Sequence, residues 1–158
     1  MTIRVNNMEH IRNAGVSDAS RIAEIIVTNY RVNFYPFFKN DEFYFGVLNV
    51  LHVASEYCEG SDALRETLVY DDGVVKGIIR VHGDEIVKLY VEPQFQSMHI
   101  GAKLLQYAVD ELGANWLWVL DHNERGKAFY QRNGFVLTDE KMIEDEWVPL
   151  TKMKLNRR

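Results

Sequence analysis

The stretch Glu85–Leu105, EIVKLYVEPQFQSMHIGAKLL, decides how this chain folds. Its first half, Ile86-Val87-Lys88-Leu89-Tyr90-Val91, is short, apolar and rich in β-formers, and Pro93 ends it; a strand over Glu85–Val91 is expected. From Ile100 onward, apolar residues fall at Ile100, Leu104, Leu105, Ala108, Val109 and Leu112, the rhythm of a helix with one buried face. Gly113 suits its C-terminal cap. Between the two lies Gln94-Phe95-Gln96-Ser97-Met98-His99, which delivers the chain directly to a helix N-terminus. Free N–H groups and the positive end of the helix dipole attract phosphate there. Strand, anion loop and helix in this order suggest a nucleotide-like ligand.

On the N-terminal side, a loose leader over residues 1–9 precedes a short strand, His10–Ala14. Ser17 or Asp18 can cap a helix whose apolar face is Ile22, Ile25, Ile26 and Tyr30. An aromatic cluster around Pro36 interrupts it, and a second helix is expected from near Asp41 to Cys58. Strands over Glu66–Tyr70 and Val74–Val81 follow, turning at Asp72-Gly73 and, more weakly, at Gly83-Asp84. On the C-terminal side, Asn115–Leu120 reads as an apolar strand and Glu124–Arg132 as a short helix closed by Asn133-Gly134. Phe135–Asp139 and Trp147–Leu155 can pair as antiparallel strands. The crossover from Leu89 to Ala114 runs through a helix, which favours a parallel pair with a right-handed connection. A mixed α/β sheet flanked by helices results.

A chain of 158 residues with 47% hydrophobic and 26% charged residues has the size and make-up of one globular domain, here residues 1–158. No run approaches the roughly twenty apolar residues that span a bilayer, and the first nine residues lack an apolar signal core. Cys58 is the single cysteine, which excludes an intrachain disulfide and fits a cytoplasmic protein. The five histidines lack metal-ligand spacing, so no metal is expected. A net charge of −5 argues against nucleic acid as a partner and suits a cationic small molecule.

Leu89-Tyr90-Val91-x-Pro93, then Gln96-Ser97-Met98-His99-Ile100-Gly101-Ala102 and Leu104-Leu105, resembles the acetyl-CoA loop of the GCN5-related N-acetyltransferases (GNAT). That loop runs Gln/Arg-x-x-Gly-x-Gly/Ala; Gln96 and Gly101 match its ends, and His99 stands where the first glycine would be. Asn123, Ala128-Phe129-Tyr130 and Gly134-Phe135 match a second family segment in the right order. The resemblance covers roughly residues 85–136. It implies a single-domain GNAT-like α/β fold, with a mixed, mostly antiparallel sheet flanked by helices and a central splayed parallel strand pair. It further implies a cytoplasmic transferase that moves acetyl from acetyl-CoA to a primary amine by direct attack in a ternary complex. Two other readings stay open: a CoA-binding module without chemistry, and an acyltransferase that takes a longer acyl-CoA or a protein N-terminus.

Carried residue by residue, the resemblance assigns Tyr130 as the acid for the departing thiolate and Asn123 as a contact to the pantetheine arm. Backbone N–H groups from Gln96 through Ala102 (Gln96, Ser97, Met98, His99, Ile100, Gly101, Ala102) would hold the pyrophosphate. A β-bulge midway along the strand before the loop would splay it from Asn115–Leu120 and free N–H groups for the thioester, adding Leu89, Tyr90 and Val91 to the cofactor contacts. If His99 has a left-handed backbone, it costs roughly 1–2 kcal/mol over glycine. Glu85, at the head of that strand, is the expected general base, with His82 and Tyr35 as lesser candidates. Tyr35 and Phe37, in the aromatic connection Phe34–Phe38, are expected to meet a small cationic amine. The alternative uses of that connection are a hydrophobic clamp or a homodimer contact.

Overall fold

The computed structural model describes residues 9–156, so the expected leader lies outside the described residues except for Glu9. Strand β1 (Ile11–Asn13) leads through a 3₁₀ turn into helix α1 (Ala19–Asn33), and a one-turn helix α2 (Tyr35–Phe38) follows. Short helices α3 (Val50–Ser55) and α4 (Asp62–Arg65) precede the hairpins β2 (Thr67–Asp71), β3 (Val75–His82) and β4 (Glu85–Val91). Helix α5 (Ile100–Leu112), β5 (Trp116–Leu120), α6 (Glu124–Arg132), β6 (Phe135–Glu144) and β7 (Val148–Leu155) complete the chain. Among the described residues, seven strands form one mixed sheet in the order β1-β2-β3-β4-β5-β7-β6, in which only β4 and β5 run parallel. Among the described residues, no helix is long and apolar enough to cross a membrane.

Each face of the sheet carries its own core. On one face, Ile100, Leu104, Leu105 and Ala108 of α5 pack against Ile79, Val81, Ile86 and Val91. On the other, Ile22, Ile25 and Ile26 of α1 pack with Val69, Ile78, Tyr44 and Tyr57. Both helical stripes are those expected from the apolar spacing. Asp18 starts α1, but its carboxylate does not cap the helix. It accepts from Arg12 at 2.8 and 3.0 Å and from the Gly15 amide at 2.8 Å, tying β1 to the helix start.

The helix expected from Asp41 to Cys58 is broken. Phe43–Val47 winds as a π turn, Leu48 is extended, and Asn49 restarts a helix by accepting from the His52 amide at 2.9 Å. Asn49 is a strong N-cap, and Gly46 inside the stretch weakens a continuous helix. The break also turns Tyr44, Leu48 and Val53 into the core.

The pairing of β3 with β4 carries the expected bulge. Arg80 opposes Lys88 and Val81 opposes Ile86, so Val87 is the extra residue. Its effect is a change of phase. Ile86, Leu89 and Val91 face the α5 core, whereas Tyr90 packs on the α1 core and Lys88 reaches Tyr30 of α1. Beyond the bulge β4 also leaves β5, since only Glu85↔Trp116 and Ile86↔Leu117 are paired.

Gly77 marks how tightly α5 lies on the sheet. A Cβ there would stand 3.1 Å from Ile100 Cγ2 and 3.2 Å from Leu104 Cδ1. Gly77→Val should therefore lower stability by about 1–3 kcal/mol, read from the midpoint of urea denaturation.

Candidate active site

Where β4 and β5 part, a cavity of about 580 Å³ opens between the end of β4, the N-terminus of α5 and helix α6. Leu89, Tyr90 and Val91 line it, together with Gln96, Ser97, His99, Ile100, Gly101 and Ala102 of the loop and first turn of α5. Asn123 and Tyr130 enter from the α6 side. Thus eleven of the twelve residues expected to touch the cofactor share one wall-to-wall site; Met98, 53% exposed, turns to solvent outside it.

The loop is held by its own side chains. Gln96 donates to the Val91 carbonyl at 3.0 Å, latching the loop to the end of β4. Asn29 of α1 donates to that same carbonyl at 3.1 Å and to the Ile25 carbonyl at 2.9 Å. His99 precedes the first turn of α5 with φ 66°, and Ser97 has φ 69°. The left-handed backbone that a glycine would take without strain is therefore kept, and His99 carries its cost. Its imidazole is exposed. At Gly101, a Cβ would sit 3.4 Å from the Phe129 ring, so a larger side chain there would crowd α6 and the mouth of the cradle.

Asn123 ends the turn after β5 and caps α6 by accepting from the Gly126 amide at 2.8 Å. The Asn123 side chain occupies the space a Cβ at Gly126 would need, only 2.4 Å from Nδ2. Tyr130 lies against Phe129 and Phe135, with ring centroids 5.2 and 5.9 Å away. Burial pushes its phenol well above the usual tyrosine range, so it stays protonated at neutral pH.

Other cavity residues carried no expected role. Asn29 is 2% exposed and falls on the Ile22, Ile25, Ile26 stripe of α1, where a polar residue on an apolar face was the available signal. Arg125 and Arg132 stand two turns apart on α6 and bring positive charge to a cavity with no carboxylate in its lining. Phe95 closes the loop side, with Lys76 Nζ 4.6 Å from its ring centroid.

The expected general base is not brought to this cavity. Glu85 stands at the opposite end of β4, about 13 Å along the strand from Leu89, where β4 and β5 are still paired. Burial there, opposed by His82 and reinforced by Asp84, raises its pKa. His82 is held by Glu66, Nδ1 to Oε2 at 2.6 Å, and is exposed. Tyr35 and Phe37 also lie outside it. The Tyr35 hydroxyl donates to Asp41 at 2.5 Å, and its ring meets Tyr44 and Phe45 edge-on. Phe37 stacks on His122, 11° from parallel with ring centroids 5.2 Å apart. Phe34 and Phe38 pack with Trp147, Leu120 and Val148, so this connection works as a hydrophobic clamp. Pro36 lies near the start of α2 and the left-handed Lys39 at its end; Phe34 and Phe38 turn to the protein, while Phe37 stays 55% exposed. Cys58 is exposed and lines no part of the site.

A bulged central strand, a splayed parallel pair and a helix that starts at the mouth of the splay define a mixed α/β fold with an open cleft in its sheet. Residues 63–137 match the family model described as an acetyltransferase (GNAT) domain. Apo YjaB from Escherichia coli has a similar structure, with TM-score 0.74 and 19% identity over 92% of this chain and 95% of that one. An N-acetyltransferase from Staphylococcus aureus Mu50 superposes with TM-score 0.70 and 15% identity, over 90% and 98% of the two chains. The PaiA N-acetyltransferase from Thermoplasma acidophilum, solved in complex with coenzyme A, gives TM-score 0.59 and 21% identity over 91% and 97%. These structural likenesses establish a shared fold. No curated protein matches the sequence. Through residues 63–137 the chain resembles the GNAT acetyltransferase family.

His99→Gly relieves a left-handed residue without removing a backbone N–H. It is expected to raise stability by about 0.5–1 kcal/mol by denaturant titration, with CoA affinity by calorimetry unchanged or improved.

Proposed function

We propose that the chain is an N-acetyltransferase that moves acetyl from acetyl-CoA to a primary amine by direct attack in a ternary complex. The observation that carries this reading is that one cavity joins the N-terminus of α5 to the phenol of Tyr130. The amides of Ile100, Gly101 and Ala102, unpaired as at any helix start, would hold the pyrophosphate, and Arg125 and Arg132 add charge for phosphate. Asn123 and the backbone of Leu89–Val91 would take the pantetheine arm along the splay.

Bound acetyl-CoA supplies an activated thioester. The acceptor nitrogen forms a bond to the acetyl carbon as the carbon–sulfur bond breaks, and the Tyr130 hydroxyl gives its proton to the departing thiolate. The nitrogen's own proton leaves to water, because Glu85, His82 and Tyr35 all stand outside the cavity. N–H groups released where β4 leaves β5 would stabilise the oxygen of the thioester as it gains charge. Exposed Cys58, remote from this lining, supports transfer without a covalent acetyl-enzyme. The single cysteine supports a cytoplasmic setting. The aromatic connection is used as a clamp, so a cationic acceptor has lost that argument and keeps only the net charge of −5.

The test is acetyl-CoA-dependent release of free thiol across a panel of primary amines. Tyr130→Phe should leave acetyl-CoA affinity intact and slow the single-turnover rate by about 10²–10⁴-fold. An unchanged rate would remove Tyr130 as the acid. Tight CoA binding with no thiol release from wild type would instead favour a binding module.

A further inference from the structure

A second cavity, of about 260 Å³, lies on the α1 face of the sheet. Tyr30 of α1, Phe43 of the π turn, Val53 of α3 and Lys88 of β4 form its walls, and exposed His52 and Glu56 stand at its rim. It touches the first cavity through one layer of side chain. Tyr30 lines the second, Tyr90 lines the first, and their rings meet edge-on with centroids 5.7 Å apart. Lys88 and Leu89 are consecutive residues opening to the two cavities. Two irregularities build this space. The bulge at Val87 turns Lys88 to the α1 face, and the π turn replaces a straight helix that would have continued through Phe43–Val47. π turns inside helices often mark functional sites.

Lys88 differs from the other sheet lysines. Lys76, Lys141, Lys152 and Lys154 each reach a carboxylate. Lys88 enters no ion pair among the described residues; it donates to the Tyr30 hydroxyl at 3.2 Å and lies 5.6 Å from the centre of that ring. A part-buried ammonium hydrogen-bonded to a neutral phenol retains hydrogen-bonding capacity for an anion. The volume is just below the range of about 300–1,000 Å³ typical of drug-sized ligands, which suits a small metabolite.

We propose that this second cavity is the acceptor subsite and that Lys88 makes it select primary amines that also carry a carboxylate. The inference rests on the acetyltransferase reading and names its substrate class. The carboxylate takes hydrogen bonds from Lys88 Nζ and the Tyr30 hydroxyl, and the amine of the same molecule points past Tyr90 to the opening of the splay. Lys88 is a specificity residue; the transfer step itself is unchanged.

The experiment uses the full chain and pairs each α-amino acid with the amine left by removing its carboxylate, such as leucine with isopentylamine and phenylalanine with phenethylamine. Steady-state KM is measured for each, and saturation-transfer NMR reads binding of the same pairs without turnover. Wild type should favour the carboxylated member by about 10–100-fold, the worth of a hydrogen bond to a charged group. Lys88→Met should erase that preference while leaving the KM values for acetyl-CoA and for the plain amines unchanged, and Lys88→Arg should retain much of it. Tyr30→Phe, which keeps the ring packing, should weaken the preference and guards against misfolding of the Lys88 variants. Equal binding of both members by wild type, or a preference that survives Lys88→Met, overturns the proposal, as does a stronger response to an aminoalkyl phosphonate than to any carboxylate. If no amine is acetylated, the enzyme reading falls, and the NMR contrast between wild type and Lys88→Met still decides the anion subsite.

Discussion

The extra residue at Val87 governs the site. Two strands that stayed in register would close the sheet between β4 and β5, and no ligand could enter it. With Val87 inserted, the strands keep two paired positions, Glu85 with Trp116 and Ile86 with Leu117, and then separate. The same residue reverses which side chains face which core, sending Leu89 and Val91 toward α5 while Tyr90 and Lys88 turn to α1. A hydrogen-bonded ladder tolerates such an interruption because the strand on the far side, β3, still pairs as far as Gly77 with Val91.

Around that opening the protein places rigid elements on both sides. α5 is anchored by four buried apolar residues, so the amides of its first turn are held in position at the mouth of the splay. The left-handed backbone at His99 is sustained by this packing: strain of order 1 kcal/mol is small beside the burial of Ile100 and Leu104, each contributing roughly 1.5–3 kcal/mol. On the opposite wall, Asn123 caps α6 and sets where Tyr130 enters. α1 closes the third side, with Asn29 locked to the end of β4. Charge follows the same division, since the first cavity holds arginines and no carboxylate, whereas the second combines a lysine deep inside with a glutamate at the rim.

Much of the frame was legible in the residues. The strand Glu85–Val91 and the helices Ile100–Leu112 and Glu124–Arg132 agree with the expected spans, because each carries a clean period bounded by proline, glycine or a capping asparagine. The loop, Asn123 and Tyr130 were legible for a second reason: they are close in sequence to those elements and match the family pattern. The helix expected over 41–58 failed because Asn49 competes locally for the backbone, and a hydrophobic period alone does not register that competition. Asn29 and the two arginines of α6 were missed because each has an ordinary use on a helix, and only their convergence gives them another.

What the sequence by itself determined is the order of strand, anion loop and helix, since propensity, periodicity and capping act over a few neighbouring residues. Which side chains meet across the sheet was decided by the tertiary structure. Glu85 heads the same strand as Leu89 yet stays on its closed end, and Tyr35 and Phe37 are spent on Asp41 and His122. Lys88 stands beside Tyr30 although 58 residues separate them. Pairings of that kind depend on strand register and on a one-residue bulge, and a bulge reverses the facing of every side chain beyond it without changing the local apolar pattern that announces the strand.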